Sequence, residues 1–176
     1  MTGIAPEFSH IVDARLVPAA GLTLDLNANE QERAALARRF GIAAVNALSA
    51  HVELIRVNKK RVRANADIKG EVVQNCVVTL EPFAQTVATA FAVTVCEDEN
   101  AVEDSLKINE IDVDAVNDED VEYSPDGKID IGELVAEYFS LALDPFPHAP
   151  NAVFQGKTDV EKSKNAFGVL EKLNFK

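Results

Sequence analysis

The stretch from residue 42 to residue 96 constrains the fold most, because apolar and polar residues alternate along it with a period of two. That period is typical of β-strands with one buried face. Asn58-Lys59 predicts a hairpin turn, and Gly70 is expected to end a strand. Further strands are predicted near Arg61–Asp67, Glu71–Thr79 and Gln85–Val95. Their connections are too short for crossover helices, so we expect an antiparallel meander.

A first helix is predicted before this stretch, from about Ala28 to Phe40. Asn27 is in the position of an N-terminal cap, and Glu30, three residues further on, is its expected capping-box partner. Gly41 can adopt the left-handed conformation in which many helices end. Ahead of the helix, short alternating segments predict strands at Phe8–Ala14 and Leu22–Leu26.

A second helix is predicted after the strands. Asp130 is its expected N-cap, with Glu133 as the capping-box partner, and Pro145 ends it. A broad stripe of apolar side chains lies between these signals. We therefore expect this helix to cover the inner face of the sheet.

These elements predict an α+β fold, with a twisted antiparallel sheet of about five or six strands and two main helices packed on it. The sheet is expected to be open or curled toward a barrel. A chain of 176 residues is long enough for one domain with a sizeable core. We expect that domain to span residues 1–156, with an acidic loop at 97–122, and to be followed by a tail at 157–176 that can hold a short helix.

The negative charge of the chain is concentrated in one segment. With 29 acidic and 17 basic residues, the whole surface is not expected to coat nucleic acid. Twelve of the acidic residues, against one lysine, lie in residues 97–122, so the remainder is nearly neutral and can hold a local RNA contact. The acidic segment is expected to be mainly a mobile loop with a short strand near Val121. It either binds a basic partner or only solvates the loop.

Five basic residues cluster around the predicted hairpin turn. They are Arg56, Lys59, Lys60, Arg61 and Arg63. Such a cluster can contact several phosphates of a nucleic acid or bind another partner. It can also keep an exposed turn soluble and protect a strand edge. The absence of an aromatic residue among these bases slightly favours the second interpretation.

Residues 122–133 have the spacing of an EF-hand calcium loop at several positions. Glu122 stands where the first ligand is normally Asp, and Pro125 stiffens the fourth position. A Pro-Asp-Gly turn that leads into the Asp130-capped helix explains the same residues. Calcium binding therefore remains an alternative.

No motif for catalysis, a cofactor or a metal site is recognisable in the sequence. Cys76 and Cys96 form neither a disulfide framework nor a zinc knuckle, and Cys76 is expected to be a small buried strand residue. The three histidines, His10, His51 and His148, are scattered. We expect a non-enzymatic cytoplasmic protein with no membrane association, no cofactor and no small-molecule substrate.

Two sequence segments resemble one known family. The first contains Cys76, Thr79, Leu80, Glu81 and Pro82, and the second contains Asp144 and Pro145. In these segments the chain is similar to YceD-like proteins, the large ribosomal RNA subunit accumulation proteins, in the form common among alphaproteobacteria. Many members carry a Cys-x-x-Cys-like pair where this chain has Cys76 and Thr79, so the second cysteine is absent here.

The resemblance implies a factor for synthesis, processing or stability of the 23S rRNA. Its expected partner is rRNA or a large-subunit ribosomal or assembly protein. The alternative from a different class is an acidic protein-interaction adaptor or a calcium-binding protein without a ribosomal role.

Overall fold

A computed structural model describes residues 6–97 and 120–154, which form two α-helices and two β-sheets. In chain order the elements are β1 (Ile11–Asp13), a short 3₁₀ helix (Ala14–Leu16), β2 (Leu22–Asn27), α1 (Glu30–Phe40), β3 (Ala44–Asn58), β4 (Arg61–Asn75), β5 (Pro82–Cys96), β6 (Asp120–Tyr123), β7 (Lys128–Asp130) and α2 (Ile131–Leu141). The predicted α+β class is confirmed.

The larger sheet has the strand order β2-β3-β4-β5-β6. The first four strands are antiparallel neighbours, as the short connections predict. β6 lies parallel to β5, with Val93 opposite Asp120 and Cys96 opposite Tyr123, so the sheet is mixed. These two strands are far enough apart in sequence for a crossover connection, which the antiparallel prediction overlooked.

Within the described residues the sheet is open, with β2 and β6 as its edges, and it does not close into a barrel. A separate small sheet pairs β1 with β7 in antiparallel orientation, so that Ile11 lies opposite Asp130. This pair joins the N-terminal segment to the residues that lead into α2.

The prediction that Gly70 ends a strand is wrong. β4 continues through this position, where Gly70 lies opposite Leu48 of β3 and Val87 of β5. A Cβ atom there would overlap the aromatic ring of Phe139, which is fully buried. Glycine is therefore needed at this position for the close approach of α2 to the sheet.

The predicted cap of α1 is two residues too early. Asn29 is the N-cap: its Oδ1 accepts hydrogen bonds from the backbone N–H groups of Gln31 and Glu32 at 2.9 and 3.0 Å. The Glu32 carboxylate accepts the Asn29 N–H at 2.7 Å, which completes the capping box. Asn27 is instead the last residue of β2. Gly41 ends the helix at φ +66°, as predicted.

The predicted N-cap of α2, Asp130, is confirmed, but Glu133 does not act as its predicted capping-box partner. Asp130 accepts the Glu133 N–H at 3.2 Å, whereas the Glu133 carboxylate pairs with Arg39 at 2.5 Å. This ion pair joins α2 to the end of α1.

Both helices pack on the same face of the large sheet. The rings of Phe40 and Phe139 lie 6.2 Å apart, and Leu36 and Phe139 belong to one core with the inward residues of β3, β4 and β5. Alternate residues of these strands, such as Asp67, point away from this core and are exposed. Among the described residues, the helices thus cover one face of the sheet, and many side chains that point from the other face are exposed.

The acidic segment is described only at its ends, and the short strand expected near Val121 is confirmed as β6. The rest of that segment and the predicted tail at 157–176 lie outside the described residues.

Candidate functional site

The basic cluster lies at the tip of the hairpin formed by β3 and β4. Asn58 pairs with Arg61 across Lys59-Lys60, and the Asn58 side chain accepts the Lys60 N–H at 2.8 Å. The predicted turn is therefore confirmed. Lys59 and Lys60 are exposed, whereas Arg61 and Arg63 are half-buried along β4.

Arg56 has a different environment from the other four bases. Its guanidinium donates hydrogen bonds to the carbonyl oxygens of Ala14, Arg15 and Val17 at 2.6 to 2.9 Å. These contacts hold the 3₁₀ helix against β3. They favour a structural role for Arg56, whose guanidinium is occupied by these carbonyl oxygens.

The two segments that carry the family resemblance contact each other in the structure. The backbone N–H of Val77 donates to the carbonyl of Pro147 at 2.9 Å. Next to the first segment, the side-chain amide of Gln74 in β4 donates to the carbonyl of Asp144 at 3.1 Å. Residues 76–82 contain the connection from β4 to β5 and the first residue of β5, and residues 144–147 follow α2. We call these two segments together the signature turn.

Internal hydrogen bonds hold the signature turn in shape. The Cys76 N–H donates to the carbonyl of Glu81 at 2.9 Å, and the Leu80 N–H donates to the carbonyl of Cys76 at 2.8 Å. Leu80 has a φ of +61°, which is uncommon for a residue with a side chain and indicates a constrained backbone. Pro82 then begins β5.

The sulfur of Cys76 is the centre of this turn. The backbone N–H of Ala149 and the hydroxyl of Thr79 donate to it, as does the Val78 N–H at 3.4 Å. These donors lower the pKa of the thiol from 9.0 to about 6, because they stabilise the thiolate. The predicted burial of Cys76 is confirmed, although it lies one residue beyond β4. The hydroxyl of Thr79 is thus one of the groups that stabilise the thiolate of Cys76.

Apolar side chains of the signature turn are exposed to solvent. The exposed fractions are 44% for Val77, 77% for Leu80 and 69% for Phe146. Beside them, between the end of α1 and the segment that follows α2, lies a cleft of about 470 Å³. Exposed apolar groups next to a cleft are typical of surfaces that bind other molecules.

The EF-hand-like segment forms a turn between β6 and β7. Asp126 accepts hydrogen bonds from the hydroxyl of Ser124 and the N–H of Lys128, both at 3.2 Å. Glu133, the would-be last ligand, pairs with Arg39, and Asp130 accepts the N–H of His10 at 2.8 Å. In residues 6–97 and 120–154, no group of three or more metal-ligating side chains is found. These contacts favour the turn interpretation.

One pairing was not predicted from the sequence. His51 Nδ1 lies 2.7 Å from Asp25 Oδ1 on the open face of the sheet. The hydrogen bond to this carboxylate raises the pKa of His51. The register of β2 with β3 places the two residues directly opposite each other. Knowledge of that register is the signal that would have found the pair.

Comparison with known proteins identifies one family. The family model described as large ribosomal RNA subunit accumulation protein YceD matches residues 64–173. This range includes both parts of the signature turn and begins directly after Arg63. No curated protein and no solved structure matches the chain. Within the described ranges, no helix has the length and apolar character needed to cross a membrane.

Proposed function

Because the chain belongs to the YceD family of large ribosomal RNA subunit accumulation proteins, we propose that it supports 23S rRNA synthesis, processing or stability by binding rather than by catalysis. Its binding target is RNA or a ribosomal or assembly protein. The family description gives the role in rRNA accumulation, and the surfaces of the molecule suggest how that role is performed.

The signature turn is the observation that carries the proposal. Two segments distant in sequence are joined by the backbone hydrogen bond from Val77 to Pro147, and they present the exposed side chains of Val77, Leu80 and Phe146. The internal bonds stabilise the backbone, while the apolar side chains remain available to a partner. A rigid backbone with exposed apolar groups lowers the entropic cost of binding.

The hairpin tip supplies a second, electrostatic contact. Lys59 is exposed, and Arg61 lies directly across the two-residue turn from Asn58. We propose that these two residues contact phosphates of rRNA. Because such contacts release counterions from the nucleic acid, affinity should fall as the salt concentration rises.

Depletion of the protein in cells tests the function directly. We expect the ratio of 23S to 16S rRNA and the amount of large subunits in sucrose gradients to fall, and the wild-type gene supplied in trans to restore both. A variant with Val77, Leu80 and Phe146 replaced by serine should restore them poorly. The matched control replaces the exposed apolar residues Ile11, Leu16 and Ile55, which lie away from the turn.

Unchanged rRNA ratios after depletion would contradict the proposed function. Full rescue by the signature-turn variant would contradict the role of that surface. The folded fraction of each variant is measured by circular dichroism, so that loss of stability is not mistaken for loss of binding.

A further inference from the structure

The cleft beside the signature turn lies where two helix ends meet. Phe40 and Ile42, at and just after the end of α1, line it together with Leu143 and Pro145, which follow α2. Its volume of about 470 Å³ accommodates a few side chains of a short segment rather than the surface of a folded domain.

The chain passes this cleft as it leaves the described residues. Pro147 lines the cleft and accepts a backbone N–H of the signature turn at 2.9 Å. Two residues later, the Ala149 N–H donates to the sulfur of Cys76, and the Ala152 N–H donates to the carbonyl of Ala149 at 3.1 Å. The description ends at Phe154. The C-terminal segment therefore starts next to the cleft.

The sequence after Phe154 changes from polar to apolar. Residues 155–164 contain one apolar side chain, that of Val160. The next nine residues contain five, and in a helix these five would share one broad face. They are Ala166, Phe167, Val169, Leu170 and Leu173. We call residues 165–173 the apolar tail segment.

The apolar tail segment can reach the cleft easily. Thirteen residues lead from Phe154 to Phe167, and a chain of that length spans up to roughly 45 Å when it is extended. Because the segment belongs to the same chain, its effective concentration at the cleft is about millimolar. A contact that would be too weak between separate molecules is therefore sufficient here.

The family match includes both sides of this contact. It covers residues 64–173, so it contains the cleft residues from Gln74 to Pro147 and ends at Leu173, the last residue of the apolar tail segment. The tail is thus part of the sequence pattern that defines the family domain, which favours it over an unrelated partner as the occupant.

Charge is also complementary at this position. Among the described residues that line the cleft, Asp144 is the one with an ionisable side chain. Lys164 and Lys172 flank or belong to the apolar tail segment. A lysine beside the docked segment can therefore approach the Asp144 carboxylate.

We infer that the apolar tail segment docks in the cleft beside the signature turn of its own chain. The inference goes beyond the proposed function, because it concerns a contact within one molecule. Phe167 and Leu170 supply the apolar side chains, and the cleft between the ends of α1 and α2 supplies the surface that covers them.

Tryptophan fluorescence of the full chain tests the inference, since the sequence contains no tryptophan. Phe167→Trp places a single fluorophore in the apolar tail segment, and Val160→Trp places one in the polar stretch before it. The acrylamide quenching constant of the first protein should be lower by at least about twofold, because a docked ring is shielded for most of the time. Its emission should also be shifted to the blue.

A steric pair of variants tests the position in the Phe167→Trp protein. Ala43→Phe fills the cleft, whereas Ala84→Phe makes the same change at an exposed site of β5 outside it. Only the first should raise the quenching constant to that of the Val160→Trp protein. Circular dichroism of both variants measures their folded fraction.

A second pair of variants changes only the tail, so it does not depend on tolerance of the cleft to substitution. In the same background, Leu170→Asp should raise the quenching constant, and Val160→Asp should leave it unchanged. Equal quenching of the Phe167→Trp and Val160→Trp proteins would overturn the inference. Shielding that persists in folded Ala43→Phe protein would also overturn it.

The experiment also distinguishes docking within one chain from exchange between two copies. Shielding by the chain's own cleft is independent of protein concentration. Shielding that disappears on dilution would assign the tail to a second copy and overturn the inference. These outcomes leave the rRNA ratios after depletion untouched, so the proposed function is tested separately.

Discussion

The aromatic ring of Phe139 in α2 occupies the space that a side chain at Gly70 would fill in the middle of β4. The helix consequently lies closer to the sheet here than a larger residue would permit. This contact fixes the position of α2, and with it the start of the segment at residues 144–147 that completes the signature turn.

Gly70→Ala should destabilise the fold by about 1–3 kcal/mol, because the added methyl group overlaps the buried ring. Thermal or urea unfolding measures the loss. In a double-mutant cycle, the double variant Gly70→Ala/Phe139→Ala should lose less free energy of unfolding than the sum of the losses in the two single variants. Strict additivity would show that the two residues do not compete for the same space.

The thiol of Cys76 should titrate with a pKa of about 6 in the folded protein. Its thiolate absorbance at about 240 nm is followed in a Cys96→Ala background, and Thr79→Val should move the midpoint upward because a donor is lost. Because the pKa in the folded state lies below the unfolded value, the stabilisation is absent below pH 6. It grows as the pH rises from about 6 to the unfolded value of 9.0. A midpoint equal to the unfolded value would contradict the hydrogen bonds to sulfur.

His51 should titrate above its usual pKa of 6.5 because of Asp25. Folding stabilisation from this pair should be complete below pH 6.5 and should disappear as the pH rises through the higher folded-state pKa. NMR of the imidazole protons in the wild type and in Asp25→Asn provides the measurement. An identical midpoint in the two proteins would show that the contact does not persist in solution.

Lys59→Glu combined with Arg61→Glu should abolish RNA association at physiological salt. Filter binding to 23S rRNA fragments is measured across a salt series. The slope of log binding constant against log salt concentration should be smaller in magnitude by roughly 1.5, because two phosphate contacts are lost. The control combines Arg38→Glu with Lys128→Glu, two exposed bases on other parts of the surface. If both double variants retain RNA equally well, the hairpin tip is not the contact.

Calcium should produce no heat of binding in isothermal titration, because Asp126 and Glu133 already pair with other protein groups. Asp126→Ala serves as the comparison. A saturable heat in the wild type that this substitution removes would restore the calcium-binding alternative.

Local signals in the sequence predicted the elements well where only neighbouring residues matter. Asn58 and the two lysines gave the hairpin, and Gly41 gave the end of α1. Asn27 and Asn29 are each followed three residues later by Glu, so the sequence pattern could not choose between the two caps. The choice depends on how far β2 remains paired with β3, which is a tertiary property.

The remaining features depend on contacts between distant residues. Gly70 has the local signature of a strand break, but β4 continues through it because it pairs there with β3 and β5. The ring of Phe139 explains why the residue is glycine. The pairing of His51 with Asp25 can be predicted only once the strand register is known. The sequence places Arg56 among the other bases of the cluster, although its hydrogen-bond partners belong to the 3₁₀ helix. The family resemblance rests on the segments that contain Cys76 and Asp144, but it did not predict that these segments contact each other.

The small sheet of β1 and β7 has a consequence for the order of folding. The hairpins of the large sheet join strands that are adjacent in sequence, whereas Ile11 must find Asp130 across most of the described chain. Closing so large a loop is entropically costly until the intervening hairpins have shortened the search. We therefore expect the meander to nucleate folding. The N-terminal strand and α2 should dock late, in the step that completes burial of the hydrophobic core.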